Sequence, residues 1–183
     1  MKHNLMTLAF LSAALGPMAA SLPAQNDIPQ PSNPAEARIQ KEVRHELAML
    51  PYITVFDSLA YQVNGGTVTL MGEVTQPVDK SDAENAVKNI EGVQQVISKI
   101  DVLPPAPMDE QLRVALYRSI YGYPMLEKYA MGVQRPIRII VKGGHVTLVG
   151  VVDNETDRNV AGVRANAVPG AFSVTNDLQV HPS

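Results

Sequence analysis

One ten-residue pattern occurs twice in this chain and limits what it can fold into. Val63-Asn-Gly-Gly-Thr-Val-Thr-Leu-Met-Gly72 returns as Val141-Lys-Gly-Gly-His-Val-Thr-Leu-Val-Gly150, 78 residues later (141 against 63), and the offset extends beyond these ten positions. A Gly-Gly turn between runs that alternate apolar and polar residues predicts a β-hairpin, because glycine tolerates the positive φ of a tight turn. Two strands alone bury too little apolar surface to be stable. The rest of each copy must therefore supply the cover.

Each copy supplies it in the same order. In the first, Ile39, Val43 and Leu47 recur at helical spacing, with Pro34 just before the start and Pro51 just after the end. In the second, Leu112, Ala115, Leu116, Ser119 and Ile120 make the equivalent stripe, which Gly122 and Pro124 close. The hairpins follow, with inward sets Leu59, Tyr61, Val63, Val68, Leu70, Val74 and Ile137, Ile139, Val141, Val146, Leu148, Val152. A second helix is predicted after Thr75 and after Asp153, both competent N-caps, with Asp79, Asp82, Glu155 and Asp157 complementing the helix dipole. Gly92 and Gly170 are expected at its C-cap. A third strand runs over Val93 to Val102 and Phe172 to Val180.

The order α-β-β-α-β, twice, predicts an α+β fold: two three-stranded mixed sheets, each with two helices on one face. Glycines with a structural role are expected at Gly66, Gly72, Gly92, Gly144, Gly150 and Gly170. Gly72 and Gly150 stand where a large inward residue belongs, which signals close approach by a neighbouring backbone, read here as the following helix. The uncovered sheet face of the second repeat carries Ile140, Val149 and Val151. It is expected to serve as a meeting place for the two repeats or for two chains.

Domain limits follow from composition. Met1-Lys2-His3, an apolar run from Leu5 to Ala20 and small residues to Ala24 predict a cleaved secretory signal peptide over 1–24. The apolar run is too short to span a bilayer. Residues 25–34 are Pro-rich and polar, a lead-in without a core. Repeat 1 is assigned to 35–103, a Pro-rich linker to 104–107 and repeat 2 to 108–181. The absence of Cys among 183 residues excludes a disulfide framework, thiol catalysis and a lipid-bearing Cys anchor. The expected address is therefore the periplasm or outside the cell, with no transmembrane span in the mature chain.

No catalytic constellation is found. His45, His145 and His181 are isolated, phosphate and dinucleotide loops are missing, and no nucleophile elbow occurs. The pairs Asp79/Asp82 and Asp153/Asp157 are explained as helix caps. Neither an enzyme nor a cofactor is predicted, and a net charge of −3 gives no reason to expect nucleic acid.

The duplicated Gly-Gly-x-Val-Thr-Leu-x-Gly, Gly92-Val93 with Gly170, and the closing Val174-Thr-Asn176-Asp-Leu178-Gln-Val180 resemble tandem BON domains of the bacterial envelope. Repeat 1 departs by carrying Ser98 where the pattern has Asn. The resemblance implies a non-enzymatic module that associates with phospholipid surfaces or envelope proteins. It carries over no catalytic residue.

Two features are candidate contact surfaces. Four of the six Tyr lie between 117 and 129, in a stretch about five residues longer than its counterpart in repeat 1. Tyr121, Tyr123 and Tyr129 suit an interfacial loop, or alternatively a plug for a small core. Repeat 1 has six basic and ten acidic residues, net −4, whereas repeat 2 has eight and seven, net +1. Arg113, Arg118, Arg135, Arg138 and Lys142 would dock repeat 2 on anionic phospholipid headgroups if they shared a face. The alternative is a structural or chaperone-like periplasmic protein that acts by protein contact, self-associating through its outer sheet faces.

Overall fold

The computed structural model describes residues 34–131 and 135–181. The signal-peptide assignment, and the lead-in except for Pro34, lie outside the described residues. Repeat 1 contains α1 (Pro34–Ala48), β1 (Ser58–Asn64), β2 (Thr67–Val74), α2 (Pro77–Lys88) and β3 (Gln95–Val102). Repeat 2 contains α3 (Pro107–Tyr121), a 3-10 turn at Glu127–Ala130, β4 (Ile137–Lys142), β5 (His145–Val152), α4 (Glu155–Asn166) and β6 (Ser173–Val180). The fold is α+β, two α-β-β-α-β units in tandem.

In each sheet the second strand is central, antiparallel to its hairpin partner and parallel to the third. The registers repeat at the same offset: Val68 faces Val96, and Val146 faces Val174. Parallel strands need a long crossover, and α2 and α4 provide it. Each core gathers residues from both helices of a repeat and from one face of its sheet. Ile39, Val43, Ala83 and Val87 meet Val63, Val68, Leu70 and Val74 in repeat 1. Leu112, Leu116, Ile120, Ala161 and Ala165 meet Ile137, Ile139, Leu148 and Val152 in repeat 2.

Several local expectations are corrected. Pro34 and Pro107 are the first residues of their helices, not of the segments before them, since a fixed φ and a missing N–H suit the first turn. The N-caps are Gln76 and Asn154, each one residue later than expected. Asn154 accepts the Asp157 N–H at 2.9 Å, whereas Gln76 makes no side-chain cap and Pro77 does the pre-organising. Thr75 is occupied elsewhere, on the carboxylate of Asp57. Asn89 and Ala167 are the C-caps, and Gly92 and Gly170 lie three residues beyond, at φ +93° and +97° in the turn that feeds the third strand.

Gly72 and Gly150 do mark a close approach, but not by a helix. At φ +121° and +126°, a Cβ would overlap the carbonyl oxygen of Ser58 or Pro136 on the paired hairpin strand. Gly66 and Gly144 lie against the side chains of Gln94 and Phe172.

Asn176 accounts for the closing motif. Its amide donates to the Arg158 carbonyl at 2.8 Å, tying β6 to α4, and Gly162 leaves room for it. Ser98 in repeat 1 is too short for that reach, and its hydroxyl is buried without a hydrogen-bond partner.

The two repeats meet inside one compact unit. The connection between α1 and β1 leaves its own repeat: Val55 is 6% exposed and belongs to the core of repeat 2. Its carbonyl accepts the Ile139 N–H at 2.8 Å, so the connection meets the free edge of β4 at Val55. Arg138 donates to the Thr54 carbonyl at 2.7 Å, Phe56 packs edge-on against Tyr117, and Lys142 pairs with Asp101 of β3. Among the described residues, no helix is long and apolar enough to cross a membrane.

Candidate functional site

The sequence proposes eight contact residues in repeat 2, and the fold disperses them. Tyr121 is 3% exposed and its hydroxyl donates to the Ile137 carbonyl at 2.5 Å; burial pushes its pKa up to about 12. Tyr129 is 6% exposed; its hydroxyl donates to Asp157 at 2.6 Å and accepts the Asp153 N–H at 2.8 Å. With Leu126, fully buried, these side chains close the end of the repeat 2 core. The interfacial-loop reading is corrected to the plug. Tyr123 is half-buried beneath the Arg164 guanidinium.

The basic residues divide in the same way. Arg113 is buried, donating to the Val141 carbonyl at 2.8 Å and to Glu110 at 2.7 Å. Arg138 is held by the Thr54 carbonyl and Lys142 by Asp101, so both join the repeats. Arg135 stands 5.7 Å from the Tyr117 ring, and Arg118 is exposed. The five cations therefore share no common face.

The carboxylates carry structure that sequence did not reveal. Asp57, fully buried, accepts from the N–H and hydroxyl of Thr54 on one oxygen and of Thr75 on the other, which shapes the departing connection. Asp109, on the first turn of α3, accepts both hairpin-turn N–H groups of Gly143 and Gly144 at 2.8 Å. Asp157 and its counterpart Asp79 sit in opposite environments. Burial would raise Asp157, but the Lys128 ammonium and the Tyr129 hydroxyl outweigh it and hold the carboxyl below its usual range. Asp79 has no such cation. Burial, with Asp57 and Asp82 nearby, raises it, and its Oδ2 has no hydrogen-bond partner. The capping account of these acids is therefore incomplete. Among the described residues, no three His, Asp or Glu are grouped to hold a metal ion.

Two concave surfaces lie beside these residues and the repeat junction. Along the outer side of α3 runs an apolar groove past Pro107, Val114, Ala115 and Arg118. It continues, sharing Val114, into a groove bounded by Tyr117, Arg135 and the 53–56 connection of repeat 1. Val114, 39% exposed, lines both, and Met108 is exposed elsewhere on the same helix. The second surface is a cleft of about 630 Å³ over β1 and the end of α1, closed on its far side by Arg135, Arg138, Val149 and Val151. Val149 and Val151 thus face repeat 1, and Ile140 is buried. The signal for both surfaces was the connection itself, since Ile53, Val55 and Phe56 are too apolar for an ordinary loop.

A family model for the BON domain matches residues 35–104 and 128–182, more than half of the chain. The second match begins after α3 and most of the tyrosine stretch. No curated protein matches the chain. Among solved structures, CdsD, a structural protein of the type III secretion system of Chlamydia trachomatis, is similar at 12% identity, over 79% of this chain and 93% of that one, with a TM-score of 0.33. A second structure, of the CdsD C-terminal domain, is similar at 13% identity, over 78% and 96%, with a TM-score of 0.32. These likenesses are too loose to bear on function.

Proposed function

The chain belongs to the BON domain family, and from that premise we propose that it is a non-enzymatic interaction module of the bacterial envelope whose contact surface is the exposed side of α3 in repeat 2. BON domains occur in envelope and periplasmic proteins and are generally non-catalytic. Export by the leader over residues 1–24 completes this reading. The observation that carries it is the continuous apolar groove along α3, lined by the exposed Val114 together with Arg118 and Arg135.

Magnitudes favour a protein partner over a lipid surface. A basic side chain near anionic headgroups contributes about 1 kcal/mol. With Arg113 buried and Arg138 and Lys142 committed to the repeat junction, two cations remain at the groove, worth about 2 kcal/mol. Weak, reversible adsorption is the most this supplies. A concave apolar groove instead suits an inserted side chain ringed by polar contacts.

The test is capture from envelope extract alongside co-sedimentation with neutral and anionic vesicles, for the native chain and for Val114→Glu. A protein captured by the native chain and lost with Val114→Glu supports the proposal. Anionic vesicles sedimenting the native chain but not the variant would transfer the site to lipid. Equal capture by both proteins would remove the α3 surface from the account.

A further inference from the structure

The cleft over β1 of repeat 1 is the place that repeat 1 itself fills on repeat 2. On repeat 2, the Val55 carbonyl takes the Ile139 N–H at the edge of β4, the Thr54 carbonyl takes the Arg138 guanidinium, and Val55 enters the core. Ile120, Ile137 and Ile139, beneath that segment, are 0% exposed. Their counterparts in repeat 1, at the helix offset of 73 and the strand offset of 78, are Leu47, Leu59 and Tyr61. All three are only half-buried, and all three line the cleft. Repeat 1 therefore has an equivalent seat, which its own Ile53 also lines and which, among the described residues, no main-chain segment fills.

The backbone is also ready. β1 ends its sheet, and among the described residues no main-chain group pairs with its outer edge. Tyr61 faces Leu70 as Ile139 faces Leu148, so the Tyr61 N–H points to the outer edge as the Ile139 N–H does. Extended peptides add to such edges by main-chain hydrogen bonds, with pockets reading alternate side chains. The walls supply a charge preference. Arg44, Arg135 and Arg138 line the cleft, Arg44 also donating to the Tyr61 hydroxyl and Arg138 to the Thr54 carbonyl, and its acid, Asp57, is buried with both oxygens engaged. The Arg135 Nε is buried without a hydrogen-bond partner.

We propose that the open β1 edge of repeat 1 is a strand-addition site for an extended peptide of a partner protein, with a β-branched residue entering the cleft and acidic residues beside it. The peptide takes the position on repeat 1 that Ile53-Thr54-Val55 takes on repeat 2. This site meets the α3 groove at Ile53 and Arg135 but uses the β1 edge and Arg44, which the groove lacks, so either can fail without the other.

The probe is a fluorescent peptide, Glu-Ile-Thr-Val-Glu-Asp, compared with Lys-Ile-Thr-Val-Lys-Lys, on the full chain by anisotropy and residue-resolved amide exchange. The acidic peptide is expected to bind at least tenfold more tightly and to slow exchange at the Tyr61 N–H. Arg44→Glu, at an exposed position, should weaken it at least fivefold without loss of fold. Indifference to peptide charge, no binding at about 1 mM, or a change at Ile139 in place of Tyr61 would overturn the proposal. So would concentration-dependent sedimentation of the chain alone with Tyr61 protected, because a second copy would then be the occupant.

Discussion

Truncating Val55 to Ala should weaken the repeat to which it does not belong in sequence. Val55 is 6% exposed in the repeat 2 core, and its carbonyl holds the β4 edge. The substitution removes two methyl-sized groups at about 0.8 kcal/mol each and leaves part of their volume empty, for a loss of about 2 kcal/mol. In a chain of this length that lowers Tm by about 4–8 °C. Residue-resolved amide exchange locates the loss. Ile139 and Leu148 should lose protection, whereas Val43→Ala, in the repeat 1 core, should act first on Leu70 and Val87. If Val55→Ala lowers protection at Leu70 and leaves Ile139 and Leu148 unchanged, the cross-repeat packing argument is wrong.

Counterpart acids should respond with opposite signs. Asp79→Asn should raise Tm at neutral pH, because it removes a buried charge raised by burial and by Asp57, whereas Asp157→Asn should lower it by about 1–3 kcal/mol of stability through lost bonds to Lys128 and Tyr129. The depressed Asp157 contributes stability that is present above its unfolded value and lost as pH falls through its folded one. The raised Asp79 contributes only below its unfolded value and loses that as pH rises. Acid titration below about pH 4 should therefore disturb repeat 2 before repeat 1, read from exchange at Leu148 and Leu70. Gly150→Ala, which meets the Pro136 carbonyl at φ +126°, should cost more than 3 kcal/mol in urea unfolding, against about 1 kcal/mol for Gly143→Ala, where φ is +59° and no atom lies within 4 Å. Intact-mass measurement of the exported protein should give a mature chain beginning at Gln25; a mass retaining residues 1–24 would contradict the leader assignment.

Local periodicity made the strands legible. Alternation around Gly65-Gly66 and Gly143-Gly144 set both hairpins, and the shared offset anticipated the match of Val68–Val96 with Val146–Val174. The caps were less legible, because Thr75 is as good an N-cap as Gln76 is poor until Asp57 claims it from 18 residues away. The contact residues were least legible. Composition counts a guanidinium as surface charge, and only three-dimensional proximity shows the Arg113 guanidinium donating a hydrogen bond to the Val141 carbonyl across the core. The tyrosine stretch allowed both a wet and a dry reading, the dry one favoured, and Ile137 and Asp157 are the partners its hydroxyls take. The apolar character of Ile53, Val55 and Phe56 announces a buried connection, but not that Val55 crosses to the other repeat.

The borrowed valine gives the tandem a polarity. A fragment ending near Leu103 keeps every side chain of its own interior. A fragment starting at Pro104 begins life with a hole and a bare strand edge where residues 53–55 should lie. Cutting between the copies is therefore asymmetric: the leading half can be studied by itself, and the trailing half only with a surrogate for the piece it has lost.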